Sequence, residues 1–208
     1  GLIPKLGALA MNDQIEAYNL PQGVLTQLFR DIGSGKPCLT THVGLHTYID
    51  PRYGGGKLNK RSTEDYVFLT EIDGKEYLRY KTFPMDVAFL RGTTADPLGN
   101  ITVEHEALTL ESLAIAIAVH NSGGKVIVQV ERLAEHGMLK PKDVRIPGIL
   151  VDHVVVAENP AYHQQTFMEQ YNPAFAGETR VTLDQMPPMA LTERKIIARR
   201  ALFELQPN

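Results

Sequence analysis

"AVHNSGGKVIVQVER", residues 118–132, decides the fold because it joins the end of an apolar helix to a strand across a glycine stop. Residues 110–119 are apolar nearly all round, which predicts a deeply packed helix with Thr109 as its N-cap. The run 125–132 is rich in β-branched residues and predicts a strand. Helix and strand in this order belong to a βαβ unit, so we expect a parallel sheet.

Two segments on either side of this unit predict its neighbouring strands. DVAFLRG, residues 86–92, is mostly apolar, as expected of a strand buried on both faces. ILVDHVVVAE, residues 149–158, follows a Pro-Gly break and predicts a further strand. Between them, the composition of residues 96–100 indicates a turn before a short strand that starts at Ile101.

The N-terminal third continues the alternation of strands and helices and then breaks it. Residues 15–19 predict a short strand, and Pro21-Gln22-Gly23 turns the chain into an amphipathic helix that ends at Gly33-Ser34-Gly35. Residues 66–83 form two aromatic and β-branched runs around Asp73-Gly74, a strong hairpin signal. The sequence therefore predicts an α/β protein with an open, mainly parallel sheet, flanking helices and an inserted β-hairpin.

The C-terminal segment has a different character. From 159 to 190 the apolar periodicity fades and prolines interrupt a polar stretch, which predicts a linker or surface arm. Thr192 then precedes ERKIIARRALFEL, residues 193–205, a predicted helix with a basic face. The sequence opens without a methionine and stops directly after this helical pattern, so we expect both ends to be cut.

Composition excludes several classes of partner. The net charge of −3 gives no reason to expect a nucleic acid or an acidic membrane surface. The longest nearly uninterrupted apolar stretch, 113–119, is far shorter than the roughly 20 residues of a membrane span. A single cysteine, Cys38, cannot form an internal disulfide, and we interpret it as a small buried apolar residue. The expected location is the cytoplasm.

The motifs of the chain do not by themselves identify a chemistry. Gly54-Gly55-Gly56 precedes Lys57, but no serine or threonine and no helix pattern follow, so a nucleotide-binding P-loop is excluded. A flexible turn, or a close approach of the backbone to a ligand, remains open for this run. The seven histidines lack metal-ligand spacing, so no metal is predicted. We interpret Glu104 and Glu106, on either side of His105, as surface carboxylates beside a turn.

A resemblance carries the argument further. Six segments in order closely resemble family I coenzyme A transferases, and the nearest branch is the acetate, propionate and short-chain acyl-CoA transferases with two fused homologous halves. These segments are YNLPQGVLTQLFRD (18–31), GLHTYIDPRYGGGKLN (44–59), RGTTADPLGN (91–100), AVHNSGGKVIVQVER (118–132), IPGILVD (146–152) and ERKIIARRALFEL (193–205). The resemblance implies the open α/β fold shared with sugar-phosphate isomerases.

The same resemblance implies an activity and a division of the chain. In this family, coenzyme A moves between carboxylic acids after a glutamate attacks an acyl-CoA and becomes a glutamyl-CoA thioester. Residues 1–158 would be the later part of the first half, 159–190 a linker, and 191–208 the opening helix of the second half. The implied partners are coenzyme A as substrate, short-chain acyl-CoA and carboxylic acids, the second half, and other copies in a homo-oligomer. Short-chain fatty acid and ketone body metabolism are the implied contexts.

The site residues follow from matched positions only. The family's nucleophilic glutamate lies in a motif that this sequence lacks, so we assign no nucleophile within it. Gln22 matches the family glutamine whose amide helps to hold the thioester oxyanion. Gly44, His46 and Thr47 fall in a segment expected to border the acyl and CoA cleft. Many relatives have glycine at the position of His46, so this wider side chain would narrow the acyl pocket.

Two other functional classes stay open. A non-catalytic module of the same fold would bind a CoA ester or a sugar phosphate without turnover. A sugar-phosphate isomerase would need its own acid/base pair and phosphate loop, and the sequence offers neither.

Overall fold

The computed structural model describes residues 3–206 and contains two compact units, of which the first runs to Tyr171 and the second begins at Asn172. Four α-helices and ten strands are described in the two units. They are α1 Pro4–Met11, α2 Gln22–Gly33, β1 Cys38–Thr41, β2 Val67–Ile72, β3 Lys75–Lys81, β4 Val87–Arg91, β5 Thr94–Ala95, β6 Ile101–Thr102, α3 Ser112–Asn121, β7 Lys125–Val130, β8 Arg132–Leu133, β9 Val144–Ile146, β10 His153–Val156 and α4 Glu193–Leu202.

The parallel sheet has the strand order β10-β7-β4. Phe89 of β4 lies opposite Ile127 of β7, which lies opposite His153 of β10. Helix α3 packs against one face of this sheet through Ala116 and Val119. The buried residues of this core are Ala88, Leu90, Ala95, Ile101, Ala116, Val119, Val126, Val128, Val130 and Ile146. The parallel sheet and its helix confirm the α/β fold class.

A second sheet is antiparallel, with the order β1-β3-β2, and contains the predicted hairpin. Asp73 and Gly74, at its tip, both have positive φ angles, of 51° and 74°. A two-residue hairpin turn of type I′ requires this at both positions, which explains the Asp-Gly pair. Helix α2 packs against this sheet, and Val24, Leu28, Ile49, Val67, Leu78 and Tyr80 form its buried core.

The third sheet has the order β8-β5-β6-β9 and consists of short strands. The turn between β5 and β6 is the one predicted at residues 96–100. Asp96 accepts hydrogen bonds from the backbone N–H groups of Leu98 and Asn100, each over 2.9 Å. The Asn100 side chain donates a third, also over 2.9 Å. These bonds close the turn locally, as the side chain of aspartate often does.

Several predicted elements differ from the structure. Residues 15–19 form a single bridge between Tyr18 and Lys57 rather than a strand. The N-cap of α3 is Glu111 and not Thr109, because Leu110 has a φ of 45° and so cannot continue a helix. The strand predicted at 149–158 is shorter, since residues 148–150 form a 3₁₀ turn before β10 begins at His153.

The burial predicted for β4 is also wrong. Its residues alternate between buried and exposed, and Phe89 is 80% exposed on the face opposite α3. Within residues 3–206, β4 is an edge strand of the parallel sheet. Only the face that carries Ala88 and Leu90 packs into the hydrophobic core. The run DVAFLRG is therefore apolar on both faces but buried on one.

The first unit continues beyond the predicted boundary at residue 158. Residues 160–163 form a 3₁₀ turn that folds back onto β7, where the Gln129 amide donates to the Tyr162 carbonyl oxygen over 2.9 Å. His163 is buried there, with 1% of its surface exposed. The Gln165 amide adds a bond to the His105 carbonyl oxygen over 2.7 Å. These contacts place residues 159–171 in the first compact unit.

The second unit begins at Asn172 and contains a 3₁₀ turn at residues 183–185 and helix α4. The predicted N-cap, Thr192, is confirmed in position, although its side chain makes no capping hydrogen bond. Glu193 stands in the first turn and Arg199 and Arg200 in the last, where each charge complements the helix dipole. The predicted segments 1–158 and 191–208 include residues 1, 2, 207 and 208, which lie outside the described residues.

Candidate functional site

Gln22 is the first residue of helix α2. Pro21 is the N-cap, with φ −59° and ψ 135°, and its carbonyl oxygen accepts the N–H groups of Val24 and Leu25. The side chain of Gln22 is exposed. The first N–H groups of a helix have no acceptor within it, and they carry the positive end of the helix dipole. An amide side chain at this position therefore stands beside a ready-made site for negative charge.

The glycine run lies against the segment that leads into this helix. The Asn19 N–H donates to the Gly56 carbonyl oxygen over 2.8 Å, and the Leu58 N–H donates to the Ala17 carbonyl oxygen over 2.9 Å. Gly56 has a φ of 75°, and a Cβ atom there would lie 2.8 Å from the Asn19 carbonyl oxygen. The glycine is needed for this close approach of two backbone segments. The sequence left two interpretations of the glycine run, a flexible turn or a close approach of the backbone to a ligand. The structure favours a turn, and Gly56 packs tightly against Asn19 in it.

Gly44 begins the other predicted cleft segment. Its φ is 99°, and a Cβ atom there would lie 2.5 Å from the Tyr80 hydroxyl oxygen. Tyr80 is fully buried and donates from this hydroxyl to the Val43 carbonyl oxygen over 2.7 Å. Burial raises the pKa of Tyr80 to about 12, with a smaller contribution from Asp50, so the hydroxyl keeps its proton. Gly44 therefore serves the packing of the loop on the antiparallel sheet.

Thr47 and His46 form the exposed part of the same turn. The Thr47 hydroxyl donates to the Gly44 carbonyl oxygen over 2.8 Å and accepts the Ile49 N–H over 3.2 Å. Its hydrogen-bonding capacity is thus used within the loop. His46 has a φ of 60°, a left-handed conformation that is uncommon for residues other than glycine. The imidazole of His46 is exposed to solvent, as are the neighbouring Thr47 and Tyr48.

The buried carboxylate of Asp50 stabilises this turn through hydrogen bonds to its backbone. Asp50 is fully buried and accepts the His46 N–H over 3.0 Å and the Arg52 N–H over 3.0 Å. The Arg52 guanidinium donates to both oxygens of Asp50, over 2.9 and 2.7 Å, and reaches Glu76 on β3 over 3.0 and 3.1 Å. The Arg52 hydrogen bonds hold the pKa of Asp50 far below its usual range, although burial opposes them.

One hydrophobic core connects the turn to Gln22. Ile49 packs with Val24 and Leu28 of helix α2 and with Leu78 of β3. The helix that starts at Gln22 and the loop that carries residues 44–47 are therefore fixed to the same packed body. Gly44, His46 and Thr47 share one turn, and Gln22 stands at the start of the neighbouring helix.

A second polar cluster lies where strands β4 and β7 end. Arg91, the last residue of β4, donates to Glu106 over 3.0 Å and to the Gln164 carbonyl oxygen over 2.7 Å. His163 lies 3.3 Å from Glu106 through Nε2 and 2.9 Å from the Gln129 amide through Nδ1. These residues border or support a groove of about 640 Å³. The sequence analysis singled out Glu104, His105 and Glu106 but not their partners, because the contacts of this cluster join residues far apart in the chain.

The carboxylates in this region are paired. Burial acts to raise the pKa of Glu106, but the contacts with His163 and Arg91 outweigh it and hold this pKa below its usual value. Glu104 pairs with Arg132 over 2.9 Å and accepts the Thr94 hydroxyl over 2.6 Å. His105 Nδ1 lies 2.9 Å from Glu131. Two paired, ionised carboxylates are poorly suited to act as general acids at neutral pH.

Two further features are absent from residues 3–206. These residues contain no group of three or more histidines, cysteines, aspartates and glutamates that could hold a metal ion. Among the described helices, none has the length and apolar character that crossing a membrane requires.

Comparison with known proteins decides the family. The model for the family described as coenzyme A transferase matches residues 3–157, which is most of the chain. The chain belongs to the coenzyme A transferase family. Among coenzyme A transferases, it is 55% identical over 203 residues to caffeate CoA-transferase of Acetobacterium woodii, covering 95% of this chain and 39% of that protein.

Two further coenzyme A transferases agree with this result. Acetate CoA-transferase YdiF of Escherichia coli strain K12 is 45% identical over 208 residues, which is 99% of this chain and 38% of that protein. A crystal structure of acyl-CoA transferase YdiF from E. coli O157:H7, in a thioester complex with CoA, matches with a TM-score of 0.86 at 45% identity. That match covers 97% of this chain and 39% of the other. The chain thus spans about two fifths of the length of these coenzyme A transferases.

Proposed function

We propose that this chain is part of an enzyme that moves coenzyme A between a short-chain acyl-CoA and a carboxylic acid. The observation that carries the proposal is the match to the coenzyme A transferase family over residues 3–157. In the proposed reaction, a glutamate attacks the thioester carbonyl and releases the CoA thiolate. The thiolate then attacks the acyl-glutamyl anhydride, which frees the first acid and leaves a glutamyl-CoA thioester. A second acid takes over the coenzyme A.

The attacking glutamate is proposed to lie outside residues 1–208. The carboxylates of Glu104 and Glu106 are engaged with Arg132 and Arg91, which supports a different role for both. The chain alone is then inactive. Residues 1–158 would belong to the first half of the protein, 159–190 to a linker whose first part, up to Tyr171, packs within the first compact unit, and 191–208 to the opening helix of the second half. A cytoplasmic homo-oligomer and a role in short-chain fatty acid or ketone body metabolism remain predictions.

Gln22 is proposed to stabilise the oxyanion that forms when the thioester carbonyl is attacked. Its exposed amide stands at the N-terminus of α2, where the first backbone N–H groups also point. A neutral donor in this position can hold developing negative charge without a proton transfer. The packed core beneath α2 would keep the donor fixed during the reaction.

His46 is proposed to border the acyl pocket. It is exposed in a turn whose neighbours, Gly44 and Thr47, are engaged in the packing and hydrogen bonds of the loop. Gly44 and Thr47 would then shape the coenzyme A cleft by fixing this turn. The resemblance implies glycine at this position in many members of the family, so an imidazole here would narrow the acyl pocket and favour short acyl groups.

A substitution at Gln22 tests the proposal. In the full-length parent, Gln22→Ala should lower kcat for acyl exchange by about 10²–10³-fold, because one oxyanion donor is lost. Gln27→Ala is the matched control, since Gln27 is an exposed glutamine on the same helix. Steady-state kinetics with acetyl-CoA and a second carboxylic acid measure both.

The outcomes separate the candidate functions. Full activity of the Gln22→Ala variant would overturn the oxyanion role. A wild-type parent that binds acetyl-CoA without exchanging it would instead indicate the non-catalytic module.

A further inference from the structure

We propose that Asp50 is a positioning residue that fixes the conformation of His46 and thereby sets the acyl selectivity of the enzyme. This inference rests on the proposed function of His46. Its starting point is the φ angle of 60° at His46, which a residue with a Cβ atom adopts at a cost. Such strained residues persist where the surrounding structure holds them in place, and they cluster at functional sites.

The structure shows what holds His46. The Asp50 Oδ2 atom accepts the His46 backbone N–H over 3.0 Å, so the carboxylate binds the strained residue directly. The same oxygen accepts Arg52 Nη2 over 2.7 Å, and the other oxygen accepts Arg52 Nε over 2.9 Å. A two-point contact of this kind fixes the orientation of the carboxylate as well as its charge.

The position of Asp50 is set from the antiparallel sheet. Arg52 reaches both oxygens of Glu76, on β3, with two further hydrogen bonds. Next to Asp50 in the chain, Ile49 is buried among Val24, Leu28 and Leu78. The chain of contacts therefore runs from the sheet through Arg52 and Asp50 to the backbone of His46.

Asparagine at position 50 would break this chain at a defined atom. Its amide nitrogen cannot accept a hydrogen bond. In place of Oδ2 it would leave both the His46 N–H and Arg52 Nη2 without an acceptor, and in place of Oδ1 it would leave the Arg52 N–H and Nε without one. Either loss weakens the support of the left-handed conformation at His46, and its imidazole would move relative to the cleft. Glycine at position 46 adopts a positive φ without this support. The effect of Asp50 should accordingly depend on which residue occupies position 46.

A double-mutant cycle in the full-length parent tests this dependence. The readout is the ratio of kcat/KM for butanoyl-CoA to that for acetyl-CoA, in which the fraction of folded enzyme cancels. Asp50→Asn should change this ratio by about tenfold when residue 46 is histidine. In the His46→Gly background, Asp50→Asn should change this ratio by no more than about twofold. An equal shift in both backgrounds, or no shift in either, overturns the proposal.

A milder pair of variants covers the case in which Asp50→Asn does not fold. Glu76→Gln loosens Arg52 from the sheet and leaves Asp50 unchanged. Glu64→Gln is the matched control, because Glu64 forms an exposed ion pair with Lys81 that borders the same sheet. Glu76→Gln should shift the selectivity ratio in the same direction as Asp50→Asn, and Glu64→Gln should not. Equal ratios for the two variants overturn the proposal.

Amide hydrogen exchange gives a readout that needs no activity. Exchange of the His46 N–H should accelerate by at least about tenfold in Glu76→Gln relative to Glu64→Gln, because its acceptor is held less firmly. Unchanged exchange at His46 overturns the role of Asp50. A parent without acyl exchange, but with faster His46 exchange in Glu76→Gln, contradicts the proposed function and leaves the role of Asp50 in fixing His46 supported.

Discussion

At the scale of single residues, the charge of the Asp50 carboxylate stabilises the folded state from a buried position. Asp50 is fully buried, and its carboxylate accepts bonds from His46 and Arg52. Because its folded-state pKa is far below its usual range, the ionised form stabilises the folded state. This contribution is complete above the unfolded-state pKa of about 3.9 and is lost as the pH falls towards the folded-state pKa.

The lowered pKa of Asp50 predicts how the stability of an Asp50 variant depends on pH. At pH 7, Asp50→Asn should lower the free energy of unfolding by on the order of 3 kcal/mol, since charged hydrogen bonds in the interior are lost. The difference from wild type should shrink as the pH is lowered below about 4. Urea denaturation from pH 3 to pH 7 measures both.

The matched control for this prediction is Asp65→Asn. Asp65 forms an ion pair with Lys57 over 2.7 Å, but its side chain is 66% exposed. Its substitution should change the free energy of unfolding by less than about 1 kcal/mol at every pH. Equal effects of the two variants, or an Asp50→Asn effect that grows in acid, would contradict the assignment.

The Asp50 contacts could not be predicted from the sequence. Asp50-Pro51-Arg52 looks like an ordinary turn, and Glu76 stands 24 residues further along the chain. His163 is a similar case, because its burial depends on residues 160–163 folding back onto β7. By contrast, the matched segments themselves pointed to Gln22, and the structure places it at a helix start.

At the scale of elements, two glycines have nearly the same φ angle but different surroundings. Comparing an alanine substitution at each distinguishes the cost of the left-handed conformation from the cost of a steric clash. Gly74 has a φ of 74° and no atom within 4 Å of an added Cβ, whereas Gly56 has a φ of 75° and a carbonyl oxygen at 2.8 Å. Gly74→Ala should lower the free energy of unfolding by about 1–2 kcal/mol, because alanine is strained in the left-handed conformation. Gly56→Ala should cost about 1–3 kcal/mol more, because the loop must move away from Asn19.

Denaturation of both variants measures this difference. The excess for Gly56→Ala reports how firmly the 44–57 loop rests against the segment that enters α2. Equal losses of stability would mean that the two segments separate without cost, and the loop would then not help to fix Gln22.

The elements that the sequence predicted best are those with a local signal. The β-branched run of β7, the spacing of Val24, Leu28 and Ile32 in α2, and Asp73-Gly74 in the hairpin are all confirmed. The errors arise where tertiary context decides. Residues 15–19 form one bridge to the glycine loop, and α3 starts after Leu110 adopts a positive φ.

At the scale of the whole molecule, the chain spans about two fifths of the length of caffeate CoA-transferase and of YdiF, and it holds paired carboxylates beside the groove at Arg91. The proposed chemistry is therefore divided between this chain and polypeptide outside it. The oxyanion donor and the loop that borders the acyl pocket would come from here, and the attacking carboxylate from elsewhere.

The most direct measurement is to incubate the full-length parent and the 208-residue chain with acetyl-CoA and to map any covalent adduct by mass spectrometry. We predict a coenzyme A adduct on a glutamate outside residues 1–208 in the parent and no adduct on the isolated chain. An adduct on any glutamate within residues 1–208 would contradict it.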